Sequence, residues 1–409
     1  MSHTTIENAA IIPAAFEHLY HPGPKWVDQR FTKDIHLPSI SPLGLSITVD
    51  DHWSSDLFDG LLRELSLYST LIGKYRSVEQ IRFRGAGINQ LSAAELTELV
   101  HRIGSLFPMR DSENGEFGID LCHASVNPNT LALLKGLRFK QLRLHFGDCA
   151  ELSQNDWMNK VADNIDLFSN FGFKELQCQI HLKHFRDPAR LKQLLLSLLL
   201  YSPQQIELSG IEDHSRSEPN REDRNYYLGI IKLLTERGYT LLGNHVFISR
   251  DNHLFKNLTE QNLQFTPWGF SSPNIKNWFG TGIGAHGQLG NYLYRNTRSP
   301  EQYLQLLSEE KLPYQQLATN EIPNELQALL QSLFCYGKIE NHTVKSLPTS
   351  LQSGVTQEIS RAAEQLWLEH DSQQWHLTLS GMVFLRQFYR HLLEAMPANS
   401  GVSQQQKCL

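Results

Sequence analysis

The stretch that decides the fold is SPLGLSITVDDHWSSDLFDGLLREL, residues 41–65. Apolar residues alternate with small or polar ones over residues 43–49, and this alternation predicts a strand. The residues after it include a histidine and two aspartates, His52, Asp56 and Asp59. Side chains just beyond the carboxyl end of a strand are the ones that meet the ligand in an α/β protein. We therefore interpret this stretch as a strand followed by a functional loop.

Six further strand-like runs follow, with amphipathic segments of helical length between most of them. These predicted strands cover residues 78–85, 116–122, 140–146, 175–182, 203–211 and 239–247, and clear helices cover 92–107 and 190–201. Regular alternation of strand and helix predicts a parallel sheet, either doubly wound or closed as a barrel. In both cases the ligand site lies at the carboxyl ends of the strands.

The pattern changes after residue 260. A glycine-rich passage, GTGIGAHGQLGNYLYRN, leads into a predicted helical stretch over about 300–365, and the residues after it predict a short β-hairpin and a helix, as in a winged-helix module. The predicted domains are an N-terminal arm (1–40), a sheet-forming domain (41–298), a helical C-terminal domain (299–396) and a disordered tail (397–409).

Composition excludes several classes of function. The chain has 409 residues, 40% of them hydrophobic, with a net charge of -6 and a pI near 6.3, which argues against nucleic acid or an anionic membrane as a partner. It contains no apolar run long enough to span a bilayer and no basic leader, so we expect a cytoplasmic protein. The five cysteines are dispersed without a CxxC pair, and this predicts reduced thiols.

A series of short motifs resembles one family along most of the chain. In chain order these are HPGPKW, VEQIRFRGAGINQLSAAEL, ERGYTLLGNHVF, GTGIGAHG, SLFCYGKIE and LTLSGMVFLRQF. Together they resemble the oxygen-independent coproporphyrinogen III oxidases, which are radical S-adenosylmethionine (SAM) enzymes of haem biosynthesis and oxidoreductases. The resemblance implies an α/β fold, an incomplete parallel (β/α) barrel of radical SAM type with a helical, winged-helix-like C-terminal domain.

The sequence departs from the family where the iron–sulfur cluster binds. The family's first strand ends in a CxxxCxxC motif whose thiolates hold a [4Fe-4S] cluster. Ungapped alignment puts His52, Asp56 and Asp59 at the three cysteine positions. A histidine and two carboxylates are harder ligands than thiolates and do not hold a cubane cluster in this way.

The family's SAM pocket also departs from its pattern. The family's GGG run is replaced by a segment that begins with an arginine. Its acidic residue on the third strand is an aspartate here, and two further polar residues of the pocket are replaced. The corresponding residues are Arg84, Gly85, Ala86, Gly87, Asp120, Gly147 and Gln179. We therefore expect neither a [4Fe-4S] cluster nor SAM as a cofactor, and no radical oxidase activity.

Two interpretations of the acidic loop stay open. His52, Asp56 and Asp59 would share one face if the loop continues as a helical turn, and such a set can hold a single divalent metal. Alternatively, they are solvated polar residues at the mouth of a loop.

Basic side chains alternate along three predicted strands, so that neighbours two apart share a face. The resemblance and this alternation give a set of candidate tetrapyrrole-binding residues, namely Arg82, Arg143, His145, His181, Lys183, Gly282, Gly284 and His286. If the basic faces point into a barrel, its interior is cationic and suits the carboxylates of a haem or porphyrin. Alternatively, the basic residues form salt bridges on outward faces. GTGIGAHG is either a close approach of backbone to ligand or a tight packing turn.

Three functions are compatible with these observations. The first is a tetrapyrrole (haem or porphyrin) binding or regulatory protein without radical chemistry. The second is a mononuclear-metal enzyme that uses His52, Asp56 and Asp59. The third is a non-catalytic partner subunit of an active paralogue.

Overall fold

The computed structural model describes residues 42–395 apart from short gaps, which are 74–75, 110–115, 123–125, 147–162, 164–165, 169, 186, 211–220, 267–268, 272–274, 291 and 320–321. The predicted N-terminal arm and tail and Gly147 lie outside the described residues, as do two of the five cysteines, Cys149 and Cys408.

The strands are short and follow one another in a regular order. In the first half they are β1 (Leu43–Thr48), β2 (Val78–Arg84), β3 (Glu116–Cys122), β4 (Gln141–Phe146), β5 (Glu175–His181), β6 (Gln205–Ser209), β7 (Thr240–Leu241) and β8 (Val246–Ile248). In the second half they are β9 (Gln264–Thr266), β10 (Gly269–Ser271), β11 (Asn277–Thr281), β12 (His286–Leu289), β13 (Tyr292–Asn296), β14 (Tyr314–Thr319), β15 (Lys338–Glu340), β16 (Leu368–His370) and β17 (Gln374–Leu377).

Helices connect most of these strands. They are α1 (Ser55–Ile72), α2 (Ala93–Leu106), α3 (Pro128–Gly136), α4 (Pro188–Leu200), α5 (Arg221–Glu236), α6 (His253–Thr259), α7 (Pro300–Ser308), α8 (Asn324–Tyr336), α9 (Asn341–Ser346), α10 (Thr349–Glu364), α11 (Leu379–Val383) and α12 (Leu385–Glu394). α2 begins with a capping box, in which Ser92 and Glu95 each accept from the other's backbone N–H.

One large sheet organises the molecule. Its strand order is β14-β13-β12-β11-β1-β2-β3-β4-β5-β6-β8-β7. The run from β11 through β1 to β6 is parallel throughout, which confirms the predicted parallel α/β sheet. Along β1 to β6 the residues facing the helices are apolar and buried, such as Leu45, Phe83 and Leu144. The alternate positions on the other face are polar.

The prediction of one strand over residues 239–247 is wrong. Two short strands, β7 and β8, pair antiparallel there, and β8 also pairs antiparallel with β6. Asn244 and His245 have φ values of 56° and 58°. Two successive left-handed residues reverse the chain in a hairpin, so this segment turns back where a parallel strand was expected.

The predicted domain boundary at residue 298 also needs correction. β14 pairs antiparallel with β13, so the large sheet continues to residue 319 and interrupts the expected helical stretch. A second unit then begins with α8. There α9 and α10 precede the antiparallel hairpin β16–β17, which β15 completes as a three-stranded sheet, and this confirms the winged-helix-like arrangement.

Candidate functional site

A polar cavity lies against the inner face of the parallel strands, the face opposite the helices. Its volume is about 30 Å³, enough for one or two water molecules. The strands contribute Arg82, Arg84, Glu116, Arg143, Gln177, Gln205 and Glu207, and later segments contribute Asn244, Val246, His253, Leu254, Phe265, Gly269 and Phe270. Period-two alternation places the strand residues on one face while their neighbours pack under the helices. Arg82, Arg84 and Arg143 all lie on the inner face.

The interior is not purely cationic, because the carboxylates of Glu116 and Glu207 also occupy this face. Arg143 Nη1 lies 3.6 Å from Glu207 Oε2, and its Nε and Nη2 donate to Gln177 Oε1 at 3.1 and 3.0 Å. Asp120 Oδ2 lies 3.5 Å from Nε2 of His145. Burial acts to raise the pKa of Asp120, but the positive charges of Arg143 and His145 hold it well below its usual range.

His253 lies between two carboxylates at one end of the cavity. Its Nε2 is 2.7 Å from Glu116 Oε1, and its Nδ1 contacts Glu175 Oε1. Burial alone would lower the pKa of His253, but the two glutamates raise it to about 10. The imidazole is therefore a fixed positive charge at neutral pH, and it joins α6 to β3 and β5.

Arg82 and Arg84 differ from Arg143. Within the part of the chain that the structure describes, neither guanidinium has a hydrogen bond or an ion pair, and Nε of Arg84 is fully buried without a partner. Burial lowers the pKa of both side chains, that of Arg84 to about 10, so both remain charged at neutral pH. The charges of Asp120 and Glu207 act on both guanidiniums, but among the described residues neither carboxylate lies within salt-bridge distance of them.

The loop after β1 does not bring the three predicted positions together. His52 is exposed, and its Nδ1 lies 3.2 Å from Asp50 Oδ1 and 2.9 Å from Asp51 Oδ1. These carboxylates raise the pKa of His52. Asp56 and Asp59 are exposed on α1, beyond the N-cap Ser54. Among the described residues, the metal-ligating atoms that cluster here belong to Asp50, Asp51 and His52.

This donor set does not fit the [4Fe-4S] cluster that the family resemblance implies. Carboxylates and an imidazole stand where soft thiolates are required. The thiols that the structure describes are free and lie on β3, β5 and α8, at Cys122, Cys178 and Cys335. Burial raises the pKa of Cys178 and Cys335, so both behave as inert apolar groups.

The SAM-pocket positions are filled by the chain itself. A Cβ added at Gly85 would lie 2.2 Å from the carbonyl oxygen of Val49, and one at Gly87 would lie 1.7 Å from that of Asp50. Gly87 N–H donates to Val49 O at 3.1 Å. The glycines thus permit close packing between the ends of β1 and β2. Arg84 and Ala86 stand beside them where the family resemblance implies a run of three glycines.

The GTGIGAHG segment is a turn between β11 and β12, held by a buried glutamate of α1. Glu64 accepts from Gly282 N–H at 2.8 Å, from Asn296 Nδ2 at 2.7 Å and from Tyr303 Oη at 2.6 Å. Burial raises the pKa of Glu64 to about 7 against these three hydrogen bonds. The segment therefore packs as a tight turn against α1.

The remaining glycine-rich residues follow the same turn. Gly284 N–H donates to Thr297 O at 2.8 Å, and His286 begins β12 opposite Arg295. Gly282 has a φ of 102°, and a Cβ there would meet the carbonyl oxygen of Thr48 at 2.0 Å. Internal packing explains these glycines without a ligand.

The last predicted site residues lie at the end of β5. Gln179 is buried and lies in register with His145 and Glu207 on the neighbouring strands. His181 ends β5, and its ring lies 5.0 Å from that of His184. Lys183 does not share a strand face with His181 as the alternation predicts, since Leu182–His184 is a 3-10 turn. The side chain of Lys183 lies outside the described residues.

Sequence reasoning missed much of the cavity lining. Glu116, Gln177, Gln205 and Glu207 continue the same period-two alternation that revealed the arginines, so the pattern could have predicted them. His253 reaches the cavity from a segment distant in sequence, and no local pattern indicates it.

The fold and the cavity together define a class, a parallel α/β sheet protein with an internal polar cavity and an appended winged-helix-like unit. No family model matches the chain. It is 22% identical over 317 residues to a Pseudomonas aeruginosa protein named oxygen-independent coproporphyrinogen III oxidase, covering 71% of this chain and 67% of that one. A Synechocystis protein of the same name is 20% identical over 307 residues, covering 69% and 65%. The chain thus matches about two thirds of the length of these relatives.

The solved structure of coproporphyrinogen III oxidase (HemN) from Escherichia coli, described as a radical SAM enzyme, superposes with a TM-score of 0.76. The match covers 93% of this chain and 98% of that one at 15% identity. The chain is therefore a remote homologue of the oxygen-independent coproporphyrinogen III oxidases and has their fold. No helix among the described residues is long and apolar enough to cross a membrane.

Proposed function

We propose that this chain is a non-radical homologue of coproporphyrinogen III oxidase that binds a carboxylated tetrapyrrole without cleaving SAM. The observation that carries the proposal is the loop after β1, where His52 pairs with Asp50 and Asp51 in place of cluster thiolates. Gly85 and Gly87, packed against the backbone of that loop, support it.

The tetrapyrrole comes from homology, since the relatives are named for coproporphyrinogen III. The cavity of about 30 Å³ is too small for a macrocycle. The macrocycle would therefore lie at the carboxyl ends of the strands, close to Arg84, His145 and His181.

The test begins with anaerobic purification and reconstitution with iron and sulfide, followed by metal analysis and an absorption spectrum. We expect no cluster absorption and no acid-labile sulfide. The same sample is then titrated with haem and with coproporphyrin III, and we expect a saturable change of the Soret band. A stoichiometric cluster that supports SAM cleavage would refute the proposal.

The other two functions are less well supported. His52, Asp56 and Asp59 do not converge, so the mononuclear-metal enzyme loses its predicted ligand set. The role of partner subunit to an active paralogue stays a prediction, and co-purification with that enzyme would test it.

A further inference from the structure

The charged groups of the cavity fall into two sets. In the first set each carboxylate lies within 4 Å of a cation: Glu207 lies beside Arg143, and Glu116 and Glu175 share His253. Removing any one of these partners would leave a buried charge uncompensated. These charged groups are paired with one another, so their burial does not require a ligand.

The second set consists of Arg82 and Arg84. Neither has an ion pair or a hydrogen bond among the described residues, and Nε of Arg84 is buried without a partner. A buried donor without an acceptor costs about 1–3 kcal/mol, and more when it is charged. A ligand that supplied acceptor oxygens would remove this cost.

Strand geometry limits what can bridge the two guanidiniums. They lie two positions apart on β2 and point to the same face, so their Cα atoms are about 6–7 Å apart. Guanidinium groups recognise planar carboxylates through paired N–H donors. The cavity volume of about 30 Å³ suits a small planar group of this kind. Amide side chains of Gln177, Gln205 and Asn244 line the remaining wall.

We propose that Arg82 and Arg84 form an anion site that binds a single carboxylate group inside the sheet. This deepens the proposed function, and rests on it only where the carboxylate is a propionate of a tetrapyrrole. A free small carboxylic acid is the other source of the same chemistry.

The first experiment needs no variant. The full chain is titrated calorimetrically with propionate and, as a neutral analogue of matched shape, with propionamide, at constant ionic strength. We expect propionate to bind and propionamide to give no signal, because only the charged group can pair with the guanidiniums. Equal binding of both compounds, or of neither, would overturn the site.

The second experiment uses Arg82→Gln and Arg84→Gln, with Arg63→Gln as the matched control. Arg63 is exposed on α1, so the control removes the same charge outside the cavity. Each cavity variant is expected to weaken propionate binding by about tenfold to a hundredfold, the usual effect of losing a charge-assisted hydrogen bond. The control should bind like the wild type. Undiminished affinity in both cavity variants contradicts the proposal.

Titration with coproporphyrin III separates the two proposals. Tetrapyrrole binding that weakens in Arg84→Gln supports both. Equal tetrapyrrole binding by wild type and cavity variants supports the proposed function and overturns the carboxylate site. Propionate binding without tetrapyrrole binding supports the site and refutes the tetrapyrrole as ligand.

Discussion

At the scale of single residues, the neighbours of His253 determine its protonation state. The imidazole contacts Glu116 and Glu175 on two different strands, and their combined charge raises its pKa to about 10. Because the folded chain holds this proton more tightly than the unfolded chain, the stabilisation is complete below about pH 6.5 and is lost as the pH rises toward 10. His253 therefore contributes most to stability in mildly acidic solution.

We expect His253→Gln to lower the free energy of unfolding by about 3 kcal/mol at pH 6, because it leaves two buried carboxylates without their cation. The loss should shrink steadily as the pH is raised from 7 to 10. Chemical denaturation at several pH values measures it. The control is His52→Gln, an exposed histidine also paired with two carboxylates, which should change little. A pH-independent loss for His253→Gln would contradict the assigned charge.

At the scale of secondary-structure elements, α1 is joined to the β11–β12 turn by one buried carboxylate. Glu64 accepts from Gly282, Asn296 and Tyr303, and its pKa is raised from 4.5 to about 7. A carboxyl group with a raised pKa favours the folded state below pH 4.5, and this contribution is lost as the pH rises to 7. The strength of this contact therefore changes near neutral pH.

Glu64→Gln should remove this dependence. Relative to the wild type, the unfolding free energy of the variant is expected to rise by about 3 kcal/mol between pH 4.5 and pH 8. Denaturant titrations across that range give the value. Glu98→Gln, at an exposed position on α2, serves as the matched control and should follow the wild-type profile. A flat difference for Glu64→Gln would rule out a titrating buried carboxylate.

The elements were largely predictable, and their contacts were not. Alternating apolar residues predicted β1 to β6, since one face of each strand must pack under helices. The same alternation predicted that Arg82 and Arg84 share a face. It could not show that Arg143 forms an ion pair with Glu207 while Arg82 and Arg84 form none among the described residues. Pairing across strands depends on register, which the alternation does not determine.

At the scale of the whole molecule, the C-terminal unit docks directly on the segments that close the cavity. Gly243 N–H donates to Phe334 O at 3.0 Å, and Phe265 N–H donates to Gln331 Oε1 at 2.8 Å. Arg386 Nε donates to Asn244 Oδ1 at 2.8 Å, and Asn244 itself lines the cavity. Docking of this unit and the shape of the cavity are therefore linked.

Gly243 provides a test of this linkage. An added Cβ would lie 2.3 Å from the carbonyl oxygen of Phe334, so Gly243→Ala must separate the two units. We expect it to destabilise the protein by about 2 kcal/mol, a typical cost of overpacking. Thermal unfolding measures the change.

The matched control is Gly229→Ala on α5, where an added Cβ meets nothing within 4 Å. Alanine in an exposed helix should stabilise by up to about 1 kcal/mol. Equal behaviour of the two variants would show that the packed contact at Phe334 does not limit stability.

The alternation of the parallel strands also bears on what a substitution can change. On β4 the side chains of Leu142 and Leu144 belong to the hydrophobic core, while Arg143 between them faces the cavity. The apolar core and the cavity lining thus lie on opposite faces of the same strand. A substitution of similar size at Arg143 would therefore change the charge of the cavity without changing the apolar side chains beneath the helices.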